Sequence, residues 1–166
     1  HDELSSDQRS VLVASQHPFA VILGCSDSRV PVEVIFNQGF GDLFVIRVAG
    51  NVVAPSQIGS VEFAVEKFGT ALVVVLGHSH CGAVEATLEE LQRPSGSQSR
   101  NLRSIVDRVR PAVADLLETE LATKPDQLMA KAVRSNVCVA AGALRHGSEI
   151  LEQMVQSGKL LVVGAE

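Results

Sequence analysis

The chain reads as an α/β fold on a mostly parallel sheet, and three observations carry that reading. Apolar residues make up 46% of the 166-residue sequence and aromatics only 4%, so the core has to be built from Val, Leu, Ile and Ala. Short Val-rich runs without polar alternation suit strands covered on both faces, the usual setting of parallel strands. Segments of helical periodicity separate these runs, and strand–helix alternation implies a parallel sheet with helices on both faces.

The first strand is read at 19–24, a short apolar run ending in Gly24. No helix is evident ahead of it. Residues 43–48, 71–76 and 160–163 read as strands for the same reason. Between the second and third, Ser56 follows Pro55 as a candidate cap, and Ile58, Val61, Val65 and Phe68 recur at helical spacing before Gly69 stops the helix. Residues 83–92 place Val84, Leu88 and Leu91 on one face, with Glu85, Glu89 and Glu90 as a solvated opposite face. The polar stretch 94–99 reads as a loop, because the apolar pattern resumes at Leu102. Further helices are expected at 101–109, 111–118, 126–145 and 148–156, the last ended by Gly158.

This amounts to a single domain over 1–166 with a sizeable core, and both ends read as truncated. The net charge is −5 with the two signs interspersed, which argues against nucleic acid or an anionic membrane surface as a partner. The longest strongly apolar run, 71–76, is far short of the roughly 20 residues a span requires. The polar opening 1–10 shows no signal peptide. Three widely spread cysteines argue against a disulfide framework, so reduced thiols and a cytoplasmic setting are expected.

Two local signals carry chemistry, each at the carboxyl end of a predicted strand. Cys25-Ser26-Asp27-Ser28-Arg29 follows the first strand, and Gly77-His78-Ser79-His80-Cys81-Gly82 follows the third. Ligands of open parallel sheets bind beyond the carboxyl ends of strands. If strands one and three are neighbours, Cys25 meets His78 and Cys81 there. Two thiolates and an imidazole suit one Zn2+ per chain, and three protein ligands leave a fourth position open for catalysis.

These residues resemble the β class of carbonic anhydrases, which carry Cys-x-Asp-x-Arg and, some fifty residues on, His-x-x-Cys. The resemblance runs from about Gln16 to Ala86 and resumes at the 158–165 stretch. It implies the fold of that family, a sheet of strand order 2-1-3-4 flanked by helices. It implies that Cys25, His78 and Cys81 bind zinc and that Asp27 and Arg29 form a catalytic dyad beside it. The implied activity is that of a lyase: reversible hydration of carbon dioxide to bicarbonate by a zinc-bound hydroxide, which the dyad orients. Substrate-binding roles fall on Gln16, Phe44, Phe63 and Gly82, with Gln16 and Phe63 supplied across the interface of a homodimer or a multiple of dimers. Asp27 is the possible fourth ligand in a closed state. Ile22 stands where a closed-state pocket of the family needs Trp, so the open state is expected here.

Other residues read more plainly. Cys138 falls within an apolar helical stretch and is expected in the core, and Phe44 and Phe63 are core residues first. His80 reads as a loop histidine, His146 as a helix C-terminal one, and His1 and His17 carry no signal. Gly39-Phe-Gly41 follows no strand, so a dinucleotide site is not supported. Three alternatives stay open: a regulatory or bicarbonate-binding zinc domain of a larger, transporter-linked protein, hydrolysis of carbon disulfide or carbonyl sulfide at the same centre, and a structural zinc site, which would need a fourth protein ligand.

Overall fold

The computed structural model describes residues 10, 12–94, 96 and 99–166. His1, most of the polar opening and part of the 94–99 loop lie outside the described residues. Four strands, β1 (Ala20–Gly24), β2 (Leu43–Arg47), β3 (Leu72–Leu76) and β4 (Leu161–Ala165), form one sheet in the order β2-β1-β3-β4. Every pairing is parallel, as the resemblance implied. The helices are α1 (Val32–Ile35), α2 (Pro55–Phe68), α3 (Gly82–Gln92), α4 (Arg100–Val113), α5 (Pro125–His146) and α6 (Glu149–Gln156).

Register positions the site. Gly24 at the end of β1 lies opposite Arg47 of β2 and Leu76 of β3, so the three strands finish level. The chain therefore leaves β1 at Cys25 and β3 at Gly77 side by side. β1 is buried at all five positions, and each fully buried Val, Ile or Leu there contributes about 1.5–3 kcal/mol.

The two faces of the sheet are covered unequally. Val21, Leu23, Val73, Val75 and Val162 pack against α2, α5 and α6, including Val61, Val137, Leu144 and Leu151. Among the described residues, Ala20, Ile22, Val74 and Leu76 cluster with Val30, Val32 and Phe36 in and beside the four-residue α1 and with strand neighbours such as Val45 and Val163. A third layer, at the carboxyl end of the sheet, joins Cys25 and Cys81 to Val84, Leu88, Val109, Val113 and Val133 from α3, α4 and α5. Close contact fixes α5 there: a Cβ on Gly77 would lie 2.5 Å from Val137 Cγ2.

Several expectations are corrected. Ser56 is not the cap of α2; Ala54 is, and Pro55 takes the first helical position, where its missing N–H costs nothing. Pro111 does not divide two helices, because it lies in the last turn of α4 and the chain continues from Val113 into a 3₁₀ turn, Ala114–Glu118. A helical stretch, residues 12–14, stands ahead of β1 where none was read. Cys138 is exposed, not in the core. The apolar stripe of α5 runs through Val133, Val137, Ala140, Ala141 and Leu144, and Cys138 lies about 100° around the helix from Val137. No helix among the described residues is long and apolar enough to cross a membrane.

Candidate metal centre

Cys25 follows β1 directly, and His78 and Cys81 sit in the short loop between β3 and α3, with Cys81 at the N-cap of that helix. Their ligand atoms all lie within 4.8 Å of one another, a convergence found nowhere else among the described residues. The two sulfurs are 4.0 Å apart. Thiolates on a tetrahedral zinc with bonds of about 2.3 Å would stand roughly 3.8 Å apart, so this spacing needs little adjustment.

His78 is set up as the third donor. Its Nδ1 lies 2.9 Å from the Ser79 carbonyl, which can only accept, so Nδ1 carries the hydrogen and Nε2 keeps a free lone pair. Nε2 is buried and has no hydrogen-bond partner. An orphaned buried nitrogen is costly unless something else satisfies it, and a cation does.

The thiols point the same way. They compete for one proton, and Cys25 is drawn down to about 4, chiefly by the hydrogen bond from Cys81. His78 and the Gly50 N–H add to the effect, and burial opposes it. Cys81 is pushed up by the same bond and by burial. A buried thiolate, a second thiol and a free imidazole nitrogen form a donor set that fits Zn2+.

Asp27 and Arg29 stand beside this cluster. Arg29 donates from Nε to Asp27 Oδ1 at 2.9 Å, from Nη2 to Oδ2 at 2.7 Å, and from its backbone N–H to Oδ1 at 3.0 Å. These side-chain bonds hold the Asp27 carboxyl well below the usual carboxylate range. Asp27 Oδ2 lies 4.0 Å from His78 Nε2, so the carboxylate faces the ligand cluster. Arg29 also reaches the His80 carbonyl at 3.5 Å.

Three residues of the surroundings escaped the sequence reading. Arg47, the last residue of β2, donates from Nε to the Cys25 carbonyl at 2.8 Å and from Nη2 to the Asp27 carbonyl at 2.5 Å. It ties Cys25 and the Asp27 loop to the neighbouring strand. Gly50 donates its N–H to Cys25 Sγ at 3.3 Å, and Asn136 of α5 donates from Nδ2 to the Gly50 carbonyl at 2.8 Å. Asn136 had one visible signal: it is a polar residue inside the apolar stripe of α5.

The remaining predicted residues are spread more widely. Gly82 opens α3 next to Cys81 and is exposed. Phe44, Phe63 and Phe68 form an aromatic trio; Phe44 and Phe68 pack on the core layer under α2, away from the layer that holds Cys25 and Cys81, whereas Phe63 stands on α2 at the surface and is not a core residue. Phe63 is 52% exposed, and Gln16 is exposed ahead of β1. A cavity of about 320 Å³ between α5 and β4, lined by Arg134, Cys138, Arg145 and Glu166 among others, shares no residue with the cluster.

Comparison with known proteins adds an independent line. Residues 20–166 match the family model described as carbonic anhydrase. The chain is 39% identical to carbonic anhydrase 2 of Mycobacterium tuberculosis, across 99% of its own length and 76% of that protein. It is 38% identical to a carbonic anhydrase of Mycolicibacterium smegmatis, with 99% and 77% covered. Among solved structures, a β-carbonic anhydrase of Aspergillus fumigatus superposes with a TM-score of 0.79 at 31% identity, covering 95% of this chain and 74% of that one. One of two tetrameric β-carbonic anhydrases from Sordaria macrospora gives 0.77 at 25% identity, covering 94% and 78%.

Proposed function

Because this chain belongs to the carbonic anhydrase family, we propose that it catalyses the reversible hydration of carbon dioxide to bicarbonate and a proton. Cys25, His78 and Cys81 hold one zinc ion in this reading, and Asp27 and Arg29 serve the chemistry beside it. The observation that carries it is the placement of an ionised carboxylate, Asp27, facing a Cys–His–Cys cluster whose imidazole nitrogen is buried and unpaired.

Zinc held there supplies a Lewis acid that makes hydroxide available as a nucleophile near neutral pH. Two thiolates neutralise the dication and temper that effect, so the protein's own control of the nucleophile matters. Asp27 stays ionised and is therefore an acceptor only. A hydroxide beside it presents its hydrogen to Asp27 and turns a lone pair toward the carbon of carbon dioxide. Arg29 keeps the carboxylate in that attitude with its paired bonds, and Arg47 holds the backbone beneath it. A new C–O bond forms, bicarbonate leaves, and the proton released from the next water passes to buffer.

Gly82 is assigned to the product anion, which the start of a helix favours. Phe44 and Phe63 are assigned to the apolar approach and Gln16 to a substrate hydrogen bond. The exposure of Gln16 and Phe63 away from the cluster supports their service in a neighbouring subunit's pocket, within a homodimer or a multiple of dimers. Exchange of ¹⁸O between labelled carbon dioxide and water, followed by mass spectrometry on the zinc-loaded chain, tests the activity. Depletion faster than in buffer is expected, and depletion at the buffer rate would refute it.

A further inference from the structure

Burying an amide side chain in an apolar helix face is unfavourable unless it finds a partner. Asn136 is 2% exposed, lies between Val133 and Val137 in the buried stripe of α5, and spends its Nδ2 donor on the Gly50 carbonyl, 86 residues away. Gly50 is an unusual recipient. It sits in the 3₁₀ turn Ala49–Asn51 with φ 68°, ψ 19°, in the left-handed region. A Cβ there would come 3.0 Å from Ala83 Cβ of α3 and 3.5 Å from Val109 Cγ2 of α4. Three helices thus close on this residue, and among the described residues α5 is the one that grips it through a directional bond.

On the other side of the same residue, the Gly50 N–H reaches Cys25 Sγ at 3.3 Å. We propose that Asn136 is a positioning residue of the metal centre: by holding the Gly50 carbonyl it aims the Gly50 N–H at the sulfur of Cys25. The inference rests on the reading of Cys25 as a metal ligand. An N–H bond to a coordinated thiolate withdraws charge from sulfur and fixes the direction of its lone pairs, so it sets both the affinity and the electronic character of the site. Arg47 holds the carbonyl of Cys25, whereas the Asn136–Gly50 relay holds its side chain.

The test uses the full chain loaded with ¹¹³Cd and labelled with ¹⁵N. Scalar coupling between cadmium and the Gly50 amide proton, transmitted through the N–H···S bond, is expected in the wild type and lost in Asn136→Leu, which keeps the branched skeleton of the side chain and removes the donor. Chelator competition should show metal held about 10- to 100-fold more weakly in the variant. With Co²⁺ in place of cadmium, the sulfur-to-metal charge-transfer band should move to longer wavelength, a shift that mere loosening of α5 does not produce. Asn136→Gln, which retains an amide donor, should recover part of the coupling. Coupling from cadmium to the Cys25 β-protons reports the ligand itself, so its absence refutes the metal reading. Coupling at Cys25 without coupling at Gly50 in the wild type overturns this inference alone, and that measurement needs no variant to fold. Unchanged Gly50 coupling in Asn136→Leu also overturns it.

Discussion

Asp27 and Arg29 are bound to each other at both carboxylate oxygens, by Nε on Oδ1 at 2.9 Å and Nη2 on Oδ2 at 2.7 Å. The Arg29 backbone N–H adds a third bond to Oδ1. The pair lies partly in solvent, with Arg29 67% exposed, so its value for stability is small, and the role proposed for it is orientation. Asp27→Ala should therefore keep the metal and lose on the order of 10²-fold in hydration rate. Zinc content by atomic absorption, measured beside the rate, checks both halves. A variant as fast as the wild type would remove Asp27 from the chemistry.

The same bonds fix a pH dependence. The folded carboxyl of Asp27 lies below its unfolded value, about 3.9, because Arg29 donates to the charged form. Its contribution to stability is thus complete above about pH 4 and is lost as the pH falls through the lower, folded value. In the metal-free chain, the ¹³C carboxyl shift of Asp27 should still report an ionised group at about pH 4. Arg29→Ala should return the titration toward the ordinary value. An Asp27 that titrates normally in the wild type would contradict the assignment.

The resting state follows from where Asp27 spends its oxygens. With both on Arg29, it keeps a lone pair to accept a hydrogen, whereas serving as the fourth metal ligand would draw the carboxylate out of this pair. A crystal structure of the zinc form at about pH 8, within the range where zinc-held water titrates, should show three protein ligands and the Asp27–Arg29 pair intact. An Asp27 oxygen on the metal would show that the closed state is the resting one.

Apolar exposure bears on assembly. Val13 is 89% exposed, Phe63 52% and Phe40 73%. Exposed apolar side chains of this size suit contact with a partner, and a second copy is the occupant proposed here. Sedimentation should give a mass at least twice that of one chain. Phe63→Glu should weaken association and lower activity together. A fully active monomer would contradict this.

The parts of the fold visible in the sequence were those with strong local signals. Val73-Val74-Val75 and Val21-Ile22-Leu23 admit little but buried strands, and Gly69 ends α2 with φ 67° where the helical pattern stops. Cys25, His78 and Cys81 stood out because two short motifs fell at strand ends, and parallel register brings those ends level. What stayed hidden depends on tertiary context. α1 is too short to show a period. Pro111 reads as a breaker, yet costs the last turn of α4 only one hydrogen bond. Cys138 differs from a core position by one step around α5. Arg47 and Asn136 act on backbone carbonyls and Gly50 through its own N–H, and beyond the polar residue in the stripe of α5 such backbone partners leave no trace in residue identity.

One metal, three ligands and one reaction stand or fall together, and stopped-flow hydration of carbon dioxide tests them in one experiment. The wild type with one zinc per chain, Cys81→Ser and Cys138→Ser should be compared at equal concentration. Rapid hydration is expected from the wild type and from Cys138→Ser. Cys81→Ser should lose both zinc and rate. A zinc-replete wild type no faster than buffer, or a Cys81→Ser variant with full zinc and full rate, would contradict this.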